Sequence, residues 1–163
     1  MGDVLTRDQR SYCMSQIKGR DTKPEMIVRR LVHGMGFRYR LHRRDLPGRP
    51  DLVFPKLRKV IFVHGCFWHM HTCRYGSVTP KTNAEFWQTK RLSNVERDGR
   101  NLNQINELGW ESLVVWECSK HDLPALQRQL VEFLEAPSGK TMKSAFRASP
   151  VPSARRGTRG RRA

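Results

Sequence analysis

The sequence predicts an α/β or α+β sandwich around a mixed sheet. Three observations carry that expectation: two amphipathic helical stretches come first, a cluster of short apolar strand-like runs follows, and then helix, strand and helix patterns alternate to about residue 135. The 163-residue length and the 37% apolar fraction suit one domain with one core.

Thr6 to Ile17 reads as the first helix, with Thr6 and Gln9 spaced as a capping box. The second is better marked: Thr22 as N-cap, Pro24 in the first turn and Glu25 at N3 precede Met26, Ile27, Leu31, Val32 and Met35, and Gly34 and Gly36 close it. Phe37 to Leu41 alternates apolar and basic residues like a half-exposed strand. After the Pro47-Gly48 turn, Asp51 to Phe54 and Lys59 to Val63 read as two strands joined near Pro55. Thr82 and Glu85 open a long, polar helix ending before Gly109. Trp110 to Trp116 is a further buried strand, with both tryptophans expected in the core. Asp122 to Leu134 is a last amphipathic helix, with Leu126, Leu130, Val131 and Leu134 inward.

The charge is lopsided, with 31 Lys and Arg against 15 Asp and Glu, a net +16. Such an excess attracts polyanions, above all nucleic acid. No apolar run approaches the roughly 18 residues a bilayer span needs, and the N-terminus shows no signal-peptide pattern, so the expectation is a cytoplasmic protein, at the nucleoid when bound to DNA. Residues 1–136 form the expected folded domain, and 137–163 an expected disordered basic tail: 140–163 hold eight Lys and Arg and no acid. With those eight cations removed from the +16, residues 1–139 still carry +8.

Residues 60–73, Val-Ile-Phe-Val-His-Gly-Cys-Phe-Trp-His-Met-His-Thr-Cys, are the most informative stretch. Four cysteines in a cytosolic chain are better read as metal ligands or free thiols than as disulfides. Cys66, His71 and Cys73 offer the ligands zinc prefers, and Cys118, just past a buried strand, can supply the fourth. His69 is the alternative imidazole ligand, since spacing does not separate it from His71. Cys13, remote in a helical pattern, is a small buried or partly exposed side chain. A Cys₃His site would be closed and structural, stiffening a loop that carries Phe67, Trp68 and His69.

Asp51, after Gly48-Arg49-Pro50, brings a carboxylate to a strand start. Mg²⁺ takes few carboxylates plus waters and phosphate oxygens, so Asp51 with a backbone carbonyl near Val63 could hold one at a DNA phosphate. His64 and His69 could orient or deprotonate the attacking water. Glu25 caps its helix and could also reach the metal's water shell. His33 and His42 are expected to be structural, and His121 to start a helix.

These residues resemble the very short patch repair endonucleases of the restriction-endonuclease-like superfamily. The matching pieces are Arg20-Asp21-Thr22 with Glu25, Leu46-Pro47-Gly48-Arg49-Pro50-Asp51, Val60-Ile61-Phe62 and His64-Gly65-Cys66-Phe67-Trp68-His69 with His71 and Cys73. Glu85-Phe86-Trp87, Asn94-Val95-Glu96-Arg97-Asp98, Glu107-Leu108-Gly109-Trp110 and Val115-Trp116-Glu117-Cys118 extend the match, which spans roughly residues 10 to 135. The resemblance implies an α/β mixed sheet flanked by helices with a structural zinc site. It implies an enzyme, a strand-specific DNA endonuclease that nicks beside the thymine of T·G mismatches left by 5-methylcytosine deamination. It further implies Mg²⁺ at Asp51 with Val63, His69 as general base, Glu25 and His64 in support, and zinc on Cys66, His71, Cys73 and Cys118. Phe67, Trp68 and Trp87 match an aromatic wedge, Lys90 and Asn94 match contacts to the mismatched bases, and Met14 and Ile17 match a helix reaching the minor groove. The implied partners are mismatched double-stranded DNA and cooperating mismatch-repair proteins, with the chain a monomer and no membrane involved. Val63 stands where a threonine is familiar, and the tail has no counterpart.

Two other readings stay open from the residues alone. One is a related endonuclease without mismatch preference. The other is a non-catalytic, zinc-stabilised DNA-binding protein, which leaves Asp51, His64 and His69 unexplained.

Overall fold

The computed structural model describes residues 6–16 and 19–137. Helices α1 (Arg7–Ser15) and α2 (Lys23–Gly34) lead into strands β1 (Arg40–Leu41), β2 (Leu52–Phe54) and β3 (Lys59–His64). The long helix α3 (Ala84–Glu107), strand β4 (Glu111–Trp116), a 3-10 turn over Glu117–His121 and helix α4 (Leu123–Glu135) follow among the described residues. The strands lie in the order β1-β2-β3-β4, antiparallel except for the parallel β3/β4 pair.

Strand alternation divides the core in two. Leu52, Phe54, Ile61 and Val115 face one way, onto Val28 and Val32 of α2 and Leu126, Leu130, Phe133 and Leu134 of α4. Val53, Val60 and Phe62 face the other way, onto Leu46 and onto Ile105 and Leu102 of α3. A sheet covered on both faces is the expected α/β sandwich, and its central strands accordingly read as continuous apolar runs. Each fully buried aliphatic side chain contributes about 1.5–3 kcal/mol.

The helix ends follow the caps. Thr6 and Gln9 exchange backbone-to-side-chain hydrogen bonds at 2.9 and 3.2 Å, the predicted box. Thr22 Oγ1 accepts from Glu25 N–H at 3.4 Å, but the Glu25 carboxylate does not return to the Thr22 N–H; it turns inward to Arg29 and His42. Helix α2 closes with Phe37 N–H to Val32 O and Gly36 N–H to His33 O, with Gly36 at φ +91°. Asp122 accepts from Ala125 N–H at 3.0 Å to start α4. At the other end of α4, fully buried Lys59 donates to the Phe133 and Ala136 carbonyls, both at 2.6 Å, and so ties that helix to β3.

Several expectations need correction. The Phe37–Leu41 strand shrinks to Arg40–Leu41, because an edge strand has one partner and His42 leaves it at φ +46°. Thr82 does not cap α3; Asn83 precedes the helix in the left-handed region, without a side-chain cap. Phe133, rather than Val131, fills the inward face of α4 beside its three leucines. Cys13 is exposed. Ile17 and residues 138–163 lie outside the described residues. Among the described residues no helix is long and apolar enough to cross a membrane.

Candidate active site and metal cluster

Two groups of polar side chains gather at one edge of the sheet, where β3 and β4 end and β2 begins. Ligand sites form at such strand ends because chain leaving neighbouring strands converges there. In the first group Asp51 precedes β2, and one of its oxygens accepts the Val63 N–H at 2.7 Å, just past the last β2/β3 ladder pair, Leu52 with Ile61. Asp51 thereby replaces a main-chain carbonyl and leaves its other oxygen for the cleft. Burial pushes its pKa up to about 6; the Val63 N–H opposes this, Glu25 adds to it, and His42 and Arg29 oppose it. An aspartate made uncomfortable as an anion in a polar cleft is a fitting ligand for a small hard cation.

Behind Asp51, His42 Nδ1 lies 3.7 Å from Asp51 Oδ1 and His42 Nε2 lies 3.1 Å from Glu25 Oε1. Glu25 is 2% exposed and paired with Arg29, which also holds Asp21 at 2.7 Å. His42 is therefore a structural link between Asp51 of the cleft and the buried Glu25 behind it. The sequence carried no local signal for it, since partners this far apart along the chain follow no spacing rule.

Across the cleft, His69 Nδ1 is hydrogen-bonded to Asp98 Oδ2. An ionised carboxylate only accepts, so the hydrogen sits on Nδ1 and Nε2 is left as the proton acceptor. His64 stacks on His69 with centroids 4.0 Å apart and planes 10° apart. Burial, then neighbouring His69, drives the His64 pKa down to about 3, against the pull of Asp98. His64 is thus a neutral plate against which His69 is held. Asp98, 8% exposed on α3, closes the Asn94–Asp98 matching stretch, but nothing in the sequence alone assigns it a role beside His69.

Together these groups line a cleft of about 840 Å³ with Arg20, Arg44, Arg49 and Arg97. Gly48 in its wall has φ +72°, and a Cβ there would lie 2.8 Å from Asn101 Nδ2 on α3. Three non-glycine residues in or beside the cleft, Asp21, His42 and Arg49, hold positive φ (55°, 46° and 49°). Each costs on the order of 1–3 kcal/mol, strain of the kind that collects at functional sites.

The second group is Cys66, His71, Cys73 and Cys118, whose donor atoms all lie within 4.8 Å of one another. Cys118 arrives because β4 runs parallel to β3 and ends beside it. The cluster takes His71, with Nδ1 3.5 Å from Cys118 Sγ, and leaves His69 to Asp98, which decides between the two imidazoles. Trp116 is half-buried rather than core and stacks on His71 at 4.3 Å. Burial opposes ionisation of Cys73, but hydrogen bonds from His71 and from the Gly76 and Tyr75 backbone pull it down to about 6. Burial pushes Cys66 up to about 12 and raises Cys118 as well. Two sulfurs whose burial resists ionisation, beside one already inclined to it, fit a divalent cation that would offset their charge.

On the outer side of this loop, Phe67, Trp68 and Trp87 form a half-buried aromatic cluster with centroids 5.2–5.9 Å apart. Phe86 stands exposed beside Trp87. Lys90 is exposed, whereas the Asn94 side-chain amide is engaged, donating to the Trp68 carbonyl at 3.1 Å. Met14 belongs to α1.

A mixed sheet bearing a carboxylate and a histidine–carboxylate pair at one edge, inside an arginine-lined cleft, places the chain in the class of restriction-endonuclease-like α/β enzymes. The family model described as DNA mismatch endonuclease Vsr matches residues 2–75. The type II nicking enzyme V.XorIIP of Xanthomonas oryzae pv. oryzae is 47% identical over 135 residues, 83% of this chain and 98% of that enzyme. DNA mismatch endonuclease Vsr of Escherichia coli is 47% identical over 119 residues, 73% of this chain and 76% of that protein. Type II nicking enzyme V.NmeAIP of Neisseria meningitidis is 42% identical over 118 residues, 72% of this chain and 84% of that enzyme. The chain belongs to the Vsr DNA mismatch endonuclease family and is a DNA endonuclease.

Proposed function

We propose that this protein nicks one strand of duplex DNA beside the thymine of a T·G mismatch of the kind left by 5-methylcytosine deamination. One observation carries the reading: Phe67, Trp68 and His69 are consecutive, yet the first two belong to the aromatic cluster and the third to the cleft with Asp51. Consecutive Cα atoms are about 3.8 Å apart, so two steps of chain cover little more than one or two nucleotide rises. Rings inserted at a mismatch would therefore put the base beside a neighbouring phosphate.

Insertion costs a few kcal/mol of unstacking, and least where pairing is already faulty. Phe67, Trp68 and Trp87 supply the rings, Lys90 and Asn94 are assigned contacts to the mismatched bases, which Asn94 would make by giving up its Trp68 carbonyl, and Met14 and Ile17 are assigned the minor groove. Arg20, Arg44, Arg49 and Arg97 seat the phosphates in the cleft. His69 Nε2 takes the proton of the attacking water, Asp98 holds and stabilises the imidazolium that results, and His64 keeps its ring in place. Asp51, with the Val63 main chain and Glu25 behind it, would hold Mg²⁺, which when bound polarises the phosphoryl oxygen and offsets developing charge. Cys66, His71, Cys73 and Cys118 would hold zinc, whose contribution is to fix the loop. A monomer with one cleft cuts one strand. Mismatch-repair proteins are the expected collaborators in the cytoplasm.

The test compares a duplex containing one T·G pair with the same duplex carrying T·A. With Mg²⁺ the mismatched duplex is expected to be cut in one strand, and Asp51→Asn to bind but not cut. Equal cutting of both duplexes would refute the mismatch preference, and an active Asp51→Asn would remove Asp51 from the chemistry.

A further inference from the structure

Arg91 is 4% exposed, and its guanidinium reaches three carbonyls of the metal loop and its exit. Nε donates to Phe67 O at 2.7 Å, Nη1 donates to Val78 O at 2.9 Å, and Nη2 donates to Gly76 O. Its Cζ also stands 4.6 Å from the centroid of the Phe67 ring. Among the described residues no carboxylate pairs with it. A buried cation without a counter-ion is expensive, and an apolar side chain would fill the same space at less cost unless the converging carbonyls need its donors. Those carbonyls close the loop at both ends, next to Phe67 and past Cys73. One turn along α3, Asn94 holds the next carbonyl, that of Trp68. Two consecutive wedge peptides are thus pinned from α3, while the Cys/His cluster joins the same loop to Cys118.

We infer that Arg91 is a positioning residue for mismatch recognition, whose planar fork on α3 holds the Phe67-Trp68 platform in its inserting orientation alongside the Cys/His cluster. The inference rests on the mismatch-nicking reading above. Hydrogen bonds to a charged group are the stronger kind, and a platform already ordered loses less freedom on binding. Lysine offers a point charge on a flexible stem and cannot bridge three carbonyls in one plane, so it restores part of the effect.

The experiment uses the full, zinc-loaded chain and the variants Arg91→Met and Arg91→Lys. In free protein, amide hydrogen exchange over residues 66–78 should speed up about tenfold in Arg91→Met and less in Arg91→Lys, with β3 unchanged. With DNA, Kd for the T·G duplex should rise about tenfold in Arg91→Met and less in Arg91→Lys, while T·A affinity and the single-turnover nicking rate at saturating DNA stay within about twofold. Unchanged exchange over 66–78, or T·G and T·A affinities falling together, would overturn the inference. Should Arg91→Met not fold, Arg91→Lys decides by the same two measurements. A wild-type protein indifferent to T·G would sink the mismatch reading instead, and the exchange measurement would still judge Arg91.

Discussion

At the scale of single residues, the pairing of His69 with Asp98 sets the strongest expectation. Asparagine at 98 preserves shape but cannot stabilise an imidazolium, so Asp98→Asn should lower single-turnover nicking by about 10²–10⁴ while DNA affinity changes little. A rate within threefold of wild type would show that His69 does not act as the base. His64 makes a different prediction, because its folded pKa lies near 3 and its unfolded value near 6.5. The unfolded chain then binds more protons between those values, so stability present above about pH 6.5 is lost as pH falls toward 3. His69, Asp98 and Arg97 are the charged or titratable groups facing it. Denaturant midpoints from pH 7 to 4 should drop more steeply in wild type than in His64→Gln, and parallel curves would contradict the assignment. The gathering of Asp51, His64 and His69 in one cleft, and of Cys66, His71 and Cys73 in one cluster, was legible in the sequence because each lies in a short run with recognisable chemistry. His42, Asp98 and Arg91 were not, because their partners are 9 to 29 residues away and only the fold brings them together.

At the scale of elements, the helices and central strands were legible because caps and apolar periodicity are local signals. The split of the core between two sheet faces was not, since continuous apolar strands hide which side each residue takes. The Cys/His loop is held by contacts no periodicity encodes, and Gly76 shows why. A Cβ at this position would overlap the His71 carbonyl and press the Cys66 carbonyl, both backbone atoms that cannot swing away. Gly76→Ala must therefore displace the segment carrying His71 and Cys73, at a cost of about 1–3 kcal/mol or more. The purified variant should hold less than stoichiometric zinc and melt lower than wild type. Gly99 has nothing within 4 Å of its would-be Cβ and lies inside α3. Gly99→Ala should stabilise by about 0.5–1 kcal/mol and leave zinc content unchanged. Equal behaviour of the two variants would mean that Gly76 is not held against the loop.

At the scale of the molecule, the charge divides equally between residues 1–139 and the C-terminal stretch 140–163. Residues 1–139 carry +8, and Arg20, Arg44, Arg49 and Arg97 place part of it around the cleft where a phosphate backbone would run. The other eight cations lie in 140–163. These two shares make separable contributions to binding, because each neutralised phosphate releases counterions and adds about 0.9 to the log–log dependence of affinity on salt. Truncation after Pro137 should reduce that slope while preserving the ratio of T·G to T·A affinity, since the proposed wedge of Phe67, Trp68 and Trp87 lies outside the removed segment and phosphate contacts carry no sequence information. Replacing Arg44 and Arg49 by alanine should also reduce the slope, by about 0.9 for each phosphate left without its arginine. It should in addition slow nicking at saturating DNA if, as proposed, the phosphate they seat is the one presented to Asp51 and His69, with which they share the cleft. A truncated protein with an unchanged slope would leave the folded surface as the sole electrostatic footprint, and arginine variants that nick at the wild-type rate would move the scissile phosphate away from this rim.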